Sequence, residues 1–196
     1  MTSERFTILF VCTANICRSP MAERLAAQVL LESLGDHAHR FAVSSAGTRG
    51  HEGDEMHPHT AEVLHSVDAP AAGFRARQLL PRDIAGADLI LTATREHRSA
   101  VVSLDPTALG RCFTIPQFAR LADAVARDGT LPVGDPVQRG RSLVREAAGA
   151  RARLQPVPAE EDEIPDPIGR PLNAFEACGS LLQRTLRPPL ELIAGG

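Results

Sequence analysis

Phe6-Thr7-Ile8-Leu9-Phe10-Val11, followed at once by Cys12-Thr13-Ala14-Asn15-Ile16-Cys17-Arg18-Ser19-Pro20, is the stretch on which the fold turns. Its first part is β-branched, aromatic or aliphatic throughout, the pattern of a strand buried on both faces, as in a parallel sheet. Cys12 to Ser19 breaks that pattern with Thr, Asn and Ser, and Pro20 stands where a helix favours its first residue. Met21, Leu25, Val29 and Leu30 then fall on one helical stripe, closed by Gly35. Strand, polar loop and helix in this order open a βαβ unit.

The rest of the chain repeats the alternation. Strands are predicted at Phe41–Ser45, ending in the turn Ala46-Gly47-Thr48, at Asp88–Thr92 and at Arg111–Ile115. Helices are predicted at His57–Val67, Arg95–Ser103 and Pro116–Arg127, with a short helical turn at Pro81–Ala85. The expected fold is α/β: a three-layer αβα sandwich on a small parallel sheet of about four strands, with a phosphate-binding loop after the first strand. A single domain over 1–196 is expected, with an extra segment at about 128–163. That segment is rich in Pro and Gly and ends on Glu160-Glu161-Asp162-Glu163; only Arg141–Leu154 reads as helix, and the remainder as exposed or mobile. Pro165–Pro171 reads as a loop. Asn173–Leu186, with Phe175, Cys178, Leu181, Leu182 and Leu186 at helical spacing, reads as a closing helix.

Composition narrows the function. A net charge of −3 and a pI near 6.2 lack the basic excess of a nucleic-acid binder. No apolar run approaches the roughly 20 residues of a membrane span, and Ile8–Val11 is too short for a signal-peptide core, so no membrane association and a cytoplasmic location are expected. Cys12, Cys17, Cys112 and Cys178 match neither a dense disulfide framework nor a zinc site, and no metal or cofactor is expected. The pairs His37/His39 and His57/His59 read as polar loops and helix starts.

Cys12 and Arg18 bracket five residues between a strand and a helix. Such a loop can turn its backbone N–H groups inward as an anion nest. The following helix aims its N-terminus at the same point, and Arg18 offers a planar fork for two oxyanion oxygens. Those surroundings favour a thiolate at Cys12, and a thiolate in a phosphate-shaped cradle is a nucleophile for phosphorus.

The segment C-T-A-N-I-C-R-S-P-M-A-E resembles the phosphate-binding loop of the low-molecular-weight protein-tyrosine phosphatases. Ser45-Ala46-Gly47-Thr48, Ala76-Arg77-Gln78 with Ala87-Asp88-Leu89-Ile90-Leu91-Thr92, and Ile164-Pro165-Asp166-Pro167 are similar to that family's later landmarks, in order. The resemblance implies that Cys12 attacks phosphorus to form a phosphocysteine. Arg18 and the N–H groups of Thr13, Ala14, Asn15, Ile16, Cys17 and Arg18 would hold the phosphoryl oxygens. Asp166 would be general acid and then base, Ser19 would donate to the Cys12 sulfur, and Asn15 would take a left-handed conformation braced by Ser45. Cys17 would form a reversible, protective disulfide with Cys12. Asp166 is preferred among three Asp-Pro pairs for its place before the last helix; Asp135 is the runner-up, and Asp105 reads as a turn.

The chain also departs from the pattern. Ile168-Gly169-Arg170 follow Asp166-Pro167 where the family often has aromatic residues, and Phe74 stands where many members carry His. Ile16 points to the tyrosine-directed branch, because members resembling phosphoarginine phosphatases tend to carry Thr there. The expected partners are a phosphorylated protein, phosphotyrosine foremost, and phosphate or another oxyanion in the loop. The alternatives are an arsenate reductase on the same scaffold, which needs two further cysteines close together, and an inactive phosphoprotein-binding module.

Overall fold

A computed structural model describes residues 5–195. β1 (Phe6–Cys12) is the centre of the sheet, flanked by β2 (Phe41–Gly47) on one side and by β3 (Leu89–Thr92), then β4 (Cys112–Thr114), on the other. All pairings are parallel, with Phe6 opposite Phe41, Cys12 opposite Gly47, and Ile8 opposite Leu89. The strand order reverses at β1, and in open parallel sheets ligands bind at the carboxyl ends of the strands at that point. The segment after Cys12 lies there.

Successive side chains of β1 point to opposite faces. Phe6, Ile8, Phe10 and Cys12 join the core beneath α1 (Arg18–Leu34), α5 (Ile115–Asp128) and α7 (Leu172–Ala194). Leu9 and Val11 join a smaller core beneath α3 (Pro81–Ala85) and α4 (Arg95–Leu104), with Ile84 and Val101. Full burial of an aromatic or aliphatic side chain of this kind contributes about 1.5–3 kcal/mol. The strand is therefore apolar on both sides, and the three-layer α/β expectation holds. No helix among the described residues is long and apolar enough to cross a membrane.

Two expectations are corrected. The segment before the last loop is more ordered than its Pro and Gly content predicts. Helix α6 runs Pro136–Ala150, beginning five residues before the predicted Arg141. Asp135 caps it, accepting from the Gln138 N–H at 3.0 Å. Val137, Leu143, Ala147 and Ala150 are buried in the main core, and a Cβ on Gly140 would stand 3.0 Å from the Phe6 ring. The other correction is α7, which continues through Pro188 and Pro189 to Ala194. Leu190 and Ile193 are buried there, and Arg139 of α6 donates to the Leu192 carbonyl at 2.7 Å. Tertiary burial outweighs the backbone bonds that the prolines remove.

Candidate active site

The loop from Cys12 to Arg18 is shaped from outside by donors that take its carbonyls. Thr48 N–H donates to the Cys12 carbonyl at 2.9 Å, Arg49 to Thr13 at 2.9 Å, and His51 to Ala14 at 3.0 Å. His57 N–H, at the start of α2 (Pro58–Ser66), holds the Ile16 carbonyl at 2.8 Å. Among the described residues, no protein acceptor meets the N–H groups of Thr13 to Cys17. Buried backbone donors without partners are rare in folded proteins, and a run of them on one loop makes an anion nest. The approach of the turn at residues 48–51 demands glycine. A Cβ on Gly47 would sit 2.4 Å from the Thr13 carbonyl oxygen, and one on Gly50 2.2 Å from that of Arg77.

Asn15 adopts the left-handed conformation expected of it, with φ at 60°. Its amide nitrogen donates to Ser19 Oγ at 2.9 Å and to Ser45 Oγ at 2.8 Å, and its oxygen accepts from Arg77 N–H at 2.9 Å. Ser45 in turn donates to a Glu23 carboxylate oxygen at 2.6 Å. These contacts set the direction of the chain of bonds. The Ser45 proton goes to Glu23, so its oxygen is free to accept from Asn15. Ser19 Oγ likewise accepts from Asn15, which leaves its proton for Cys12 Sγ at 2.9 Å. A charged acceptor at one end thus orients a donor onto the sulfur at the other. Burial pushes the Glu23 carboxyl upward from its ordinary value, and the bond from Ser45 opposes that shift. Glu23 closes the C-T-A-N-I-C-R-S-P-M-A-E segment, but its role was not foreseen, because the bond that gives it one comes from Ser45 on β2.

Arg18 is buried, and its guanidinium closes the loop. Its Nη2 donates to Asp166 at 2.5 Å and to Thr13 Oγ1 at 3.4 Å, and its Nη1 donates to the Ile164 carbonyl at 3.4 Å. Its Nε has no acceptor among the described residues. Asp166 also accepts from the Ile168 N–H at 3.1 Å, and its side chain is 40% exposed. Cys12, Arg18, Asp166, Ile16, His51 and Ile168 thus face a single cavity of about 160 Å³. The other Asp-Pro pairs are helix caps. Asp105 accepts from Thr107 N–H at 2.9 Å, and Asp135 caps α6 and pairs with Arg40. Neither lines this cavity. Phe74, 6% exposed, lies in the core.

His97 is a second residue that the sequence did not single out. Helix α4 places it under the loop, with Nε2 at 2.9 Å from Thr13 Oγ1 and Nδ1 at 2.8 Å from Thr94 Oγ1. Burial, reinforced by the Arg18 charge, pushes the imidazole down to about 4. The folded protein therefore refuses a proton that the unfolded chain accepts below about 6.5. As pH falls from about 6.5 to about 4, stability on the order of 3 kcal/mol is lost through this group. Above that window it contributes no slope. His97→Gln is expected to flatten the pH dependence of the urea midpoint between about pH 4 and 6.5 relative to wild type; parallel profiles would exclude this role.

All four cysteines are free thiols. Burial pushes Cys17, Cys112 and Cys178 each up to about 12, so these three are not nucleophiles at neutral pH. The histidine pairs behave as expected of structural residues. His57 caps α2 and stacks on Phe175 with ring centroids 4.6 Å apart, and His37 and His39 lie in a short 3-10 turn.

A family profile described as "Low molecular weight phosphotyrosine protein phosphatase" matches residues 7–150, a span that stops short of Asp166. The chain is 35% identical over 133 residues to a protein-arginine-phosphatase of Geobacillus stearothermophilus, covering 68% of this chain and 82% of that protein. It is 37% identical over 140 residues to a low molecular weight protein-tyrosine-phosphatase of Streptomyces coelicolor, covering 69% and 80%. Among solved structures, the YwlE arginine phosphatase from Geobacillus stearothermophilus aligns with a TM-score of 0.65 at 29% identity, over 95% of this chain and 90% of that one. The tyrosine phosphatase Wzb from Escherichia coli K30, solved in complex with sulphate, aligns with a TM-score of 0.65 at 20% identity over 94% and 96%, a likeness of fold. The profile match and these relatives agree with a loop that starts at a cysteine and whose amides meet no protein acceptor among the described residues: the chain belongs to the low-molecular-weight protein-tyrosine-phosphatase family and is a phosphatase.

Proposed function

We propose that the protein hydrolyses phosphate monoesters on proteins, phosphotyrosine foremost, through a phosphocysteine on Cys12. The observation that carries this reading is the loop itself, with its N–H groups free of protein acceptors and its sulfur 2.9 Å from a hydroxyl oriented by Asn15. In the first step the Cys12 sulfur forms a bond to phosphorus while the bond to the leaving oxygen breaks. Asp166 gives its proton to that oxygen. In the second step water attacks phosphorus, Asp166 takes a proton from it, and the S–P bond breaks. The electron pair returns to a sulfur that Ser19 stabilises. Arg18 and the loop amides carry the charge that spreads over the equatorial oxygens, so the chemistry needs no metal. Asp166 and the phosphoryl group compete for the same edge of Arg18, and substrate entry exchanges one for the other.

The walls set the preference for substrate. Ile16 and Ile168 flank the entrance, and Ile168 is 48% exposed. Two aliphatic side chains suit the face of a phenyl ring, whereas a guanidinium would find no hydrogen-bonding group on them. The second reading, a phosphoarginine substrate, has the support of the relatives named arginine phosphatases. Arsenate reduction is disfavoured, because Cys112 on β4 and Cys178 on α7 are both buried and neither has a neighbouring cysteine in sequence. The intact Cys12, Arg18 and Asp166 argue against a pure binding module.

Peptides of one sequence carrying phosphotyrosine, phosphoarginine or phosphoserine decide between these, assayed with chelator present. We expect kcat/KM for phosphotyrosine to exceed the others by at least about tenfold. A reversed order for phosphoarginine would move the assignment to that substrate, and a folded protein that turns over none of them would overturn the reading.

A further inference from the structure

Behind the acid-bearing loop, and separate from the Cys12 cavity, lies a cleft of about 390 Å³ between α4, α5 and the segment that follows α6. Its size is in the range of small-molecule sites. Arg95, Arg98, Arg120 and Arg151 line it with Asp162, the carboxylate of its wall among the described residues, and Glu163 stands beside it, accepting from the Arg95 N–H at 3.2 Å, so the arginines outnumber the carboxylates at hand by two. Leu121, Leu154, Pro156 and Val157 form the apolar remainder of the wall. The cleft owes its closure to the stretch after α6.

The arginines divide into two pairs. Arg95 and Arg120 both bind the buried Asp162, Arg95 at 2.7 Å. Arg98 and Arg151 have no carboxylate among the described residues. Arg98 donates its Nε–H to the Cys112 carbonyl at 3.1 Å, and Arg151 donates to the carbonyls of Leu109 at 3.0 Å and Cys112 at 2.9 Å. Among the described residues their remaining N–H groups meet no acceptor, and Nε of Arg151, Nε of Arg120 and Oε1 of Gln117 are buried without partners there. Arg151 also lies over the Phe113 ring, 4.3 Å from its centroid, which holds the guanidinium in place. Burial and the neighbouring Arg98 charge push it down to about 10, the direction expected of clustered cations that nothing neutralises.

A purely structural role for these residues would be met by the carbonyl contacts. It leaves the surplus charge unexplained, since like charges gathered in a half-enclosed cleft repel at a cost that an anion would remove. Guanidinium forks match phosphate oxygens in shape as well as charge. We propose that this cleft is a second anion site, which takes a small molecule bearing a diphosphate or two phosphates, with its organic part on the Leu121–Leu154–Pro156 wall. Arg98 and Arg151 offer two guanidinium forks without carboxylate partners, one for each phosphoryl group. The proposal does not depend on the substrate assigned to Cys12.

The test is a titration of 15N-labelled protein with pyrophosphate at an ionic strength of about 0.15 M, where distant surface attraction is screened. Amide signals from residues 95–99, 114–121 and 151–157 report the cleft, and those from 13–18 report the loop. We expect saturable shifts in the cleft set, and a loss of about tenfold or more in cleft affinity in Arg98→Gln/Arg151→Gln. The response of the loop amides should be unchanged in that variant. Shifts confined to 13–18, cleft shifts that do not saturate, or undiminished cleft affinity in the variant would each overturn the proposal. Arg151 also supports β4, so the single variant Arg98→Gln and the wild-type shift map stand as the measurement if the double variant does not fold.

Discussion

Cys12→Ser is expected to leave a folded protein whose turnover of p-nitrophenyl phosphate falls by about 10⁴-fold or more, the scale seen when a covalent nucleophile is removed. A serine hydroxyl is a far weaker acid than a thiol and a poorer nucleophile for phosphorus, and its shorter Cβ–O bond sets the oxygen farther back than the sulfur. The oxyanion cradle itself is untouched. The loop carbonyls stay held by Thr48, Arg49, His51 and His57, and among the described residues its amides still have no protein acceptor. Phosphate affinity should therefore change little, and a phosphate titration alongside the rate measurement separates the two effects. A serine variant with near wild-type turnover would remove Cys12 from the mechanism; one that loses phosphate binding as well would show that the sulfur helps to build the cradle.

Asp166→Asn should cost about 10²–10⁴ in kcat, with a loss that depends on the leaving group. A good leaving group such as p-nitrophenolate departs without much help, so it should show the small end of the range. Phenyl phosphate needs a proton on the departing oxygen and should show the large end. The same substitution should tighten phosphate binding. Asp166 holds Arg18 at 2.5 Å as an ion pair, and its negative charge opposes a dianion in the loop. A neutral amide keeps the size of the side chain while removing both the competition and the repulsion. A fall in kcat together with a fall in KM would thus mark an acid that also competes for the guanidinium. An equal loss of kcat/KM, which reports the first step alone, for both leaving groups would remove Asp166 as proton donor to the leaving oxygen.

The neighbourhood of Asp166 shows how far local reading goes. Three Asp-Pro pairs look alike in the chain, and each is a fair turn or cap by local chemistry. Asp105 and Asp135 do cap helices, as their accepted bonds from Thr107 and Gln138 show. Asp166 makes a comparable local bond to Ile168, and only its contact with Arg18, 148 positions away in sequence, sets it apart. Resemblance singled out Asp166, which lines one cavity with Cys12, whereas local chemistry alone would not have separated it from the other two.

The fold and the loop were legible in the sequence because both are written in near neighbours. A doubly apolar run can be buried only between two helical layers, and Cys12 to Arg18 must bridge a strand end and a helix start within a few residues. Asn15 at φ 60° follows from the same local constraint. What remained hidden depends on contacts between distant segments. Glu23 orients Ser45, His97 props Thr13, and the glycines at 47 and 50 admit a turn beside the loop; Glu23 and Gly47 stand inside recognisable segments, yet none of these contacts joins near neighbours in sequence. Helix α6 and the last turns of α7 likewise run against local propensity. Their Pro and Gly residues argue for irregular chain, while burial of Val137, Leu143, Leu190 and Ile193 on shared neighbours holds them helical. The sequence by itself determined the order of strands and helices and the chemistry of one loop, since backbone preference and side-chain periodicity act over a few residues. The tertiary structure decided which polar groups face that loop and where the arginines gather, because those outcomes are set by burial and charge, which sum over the whole fold.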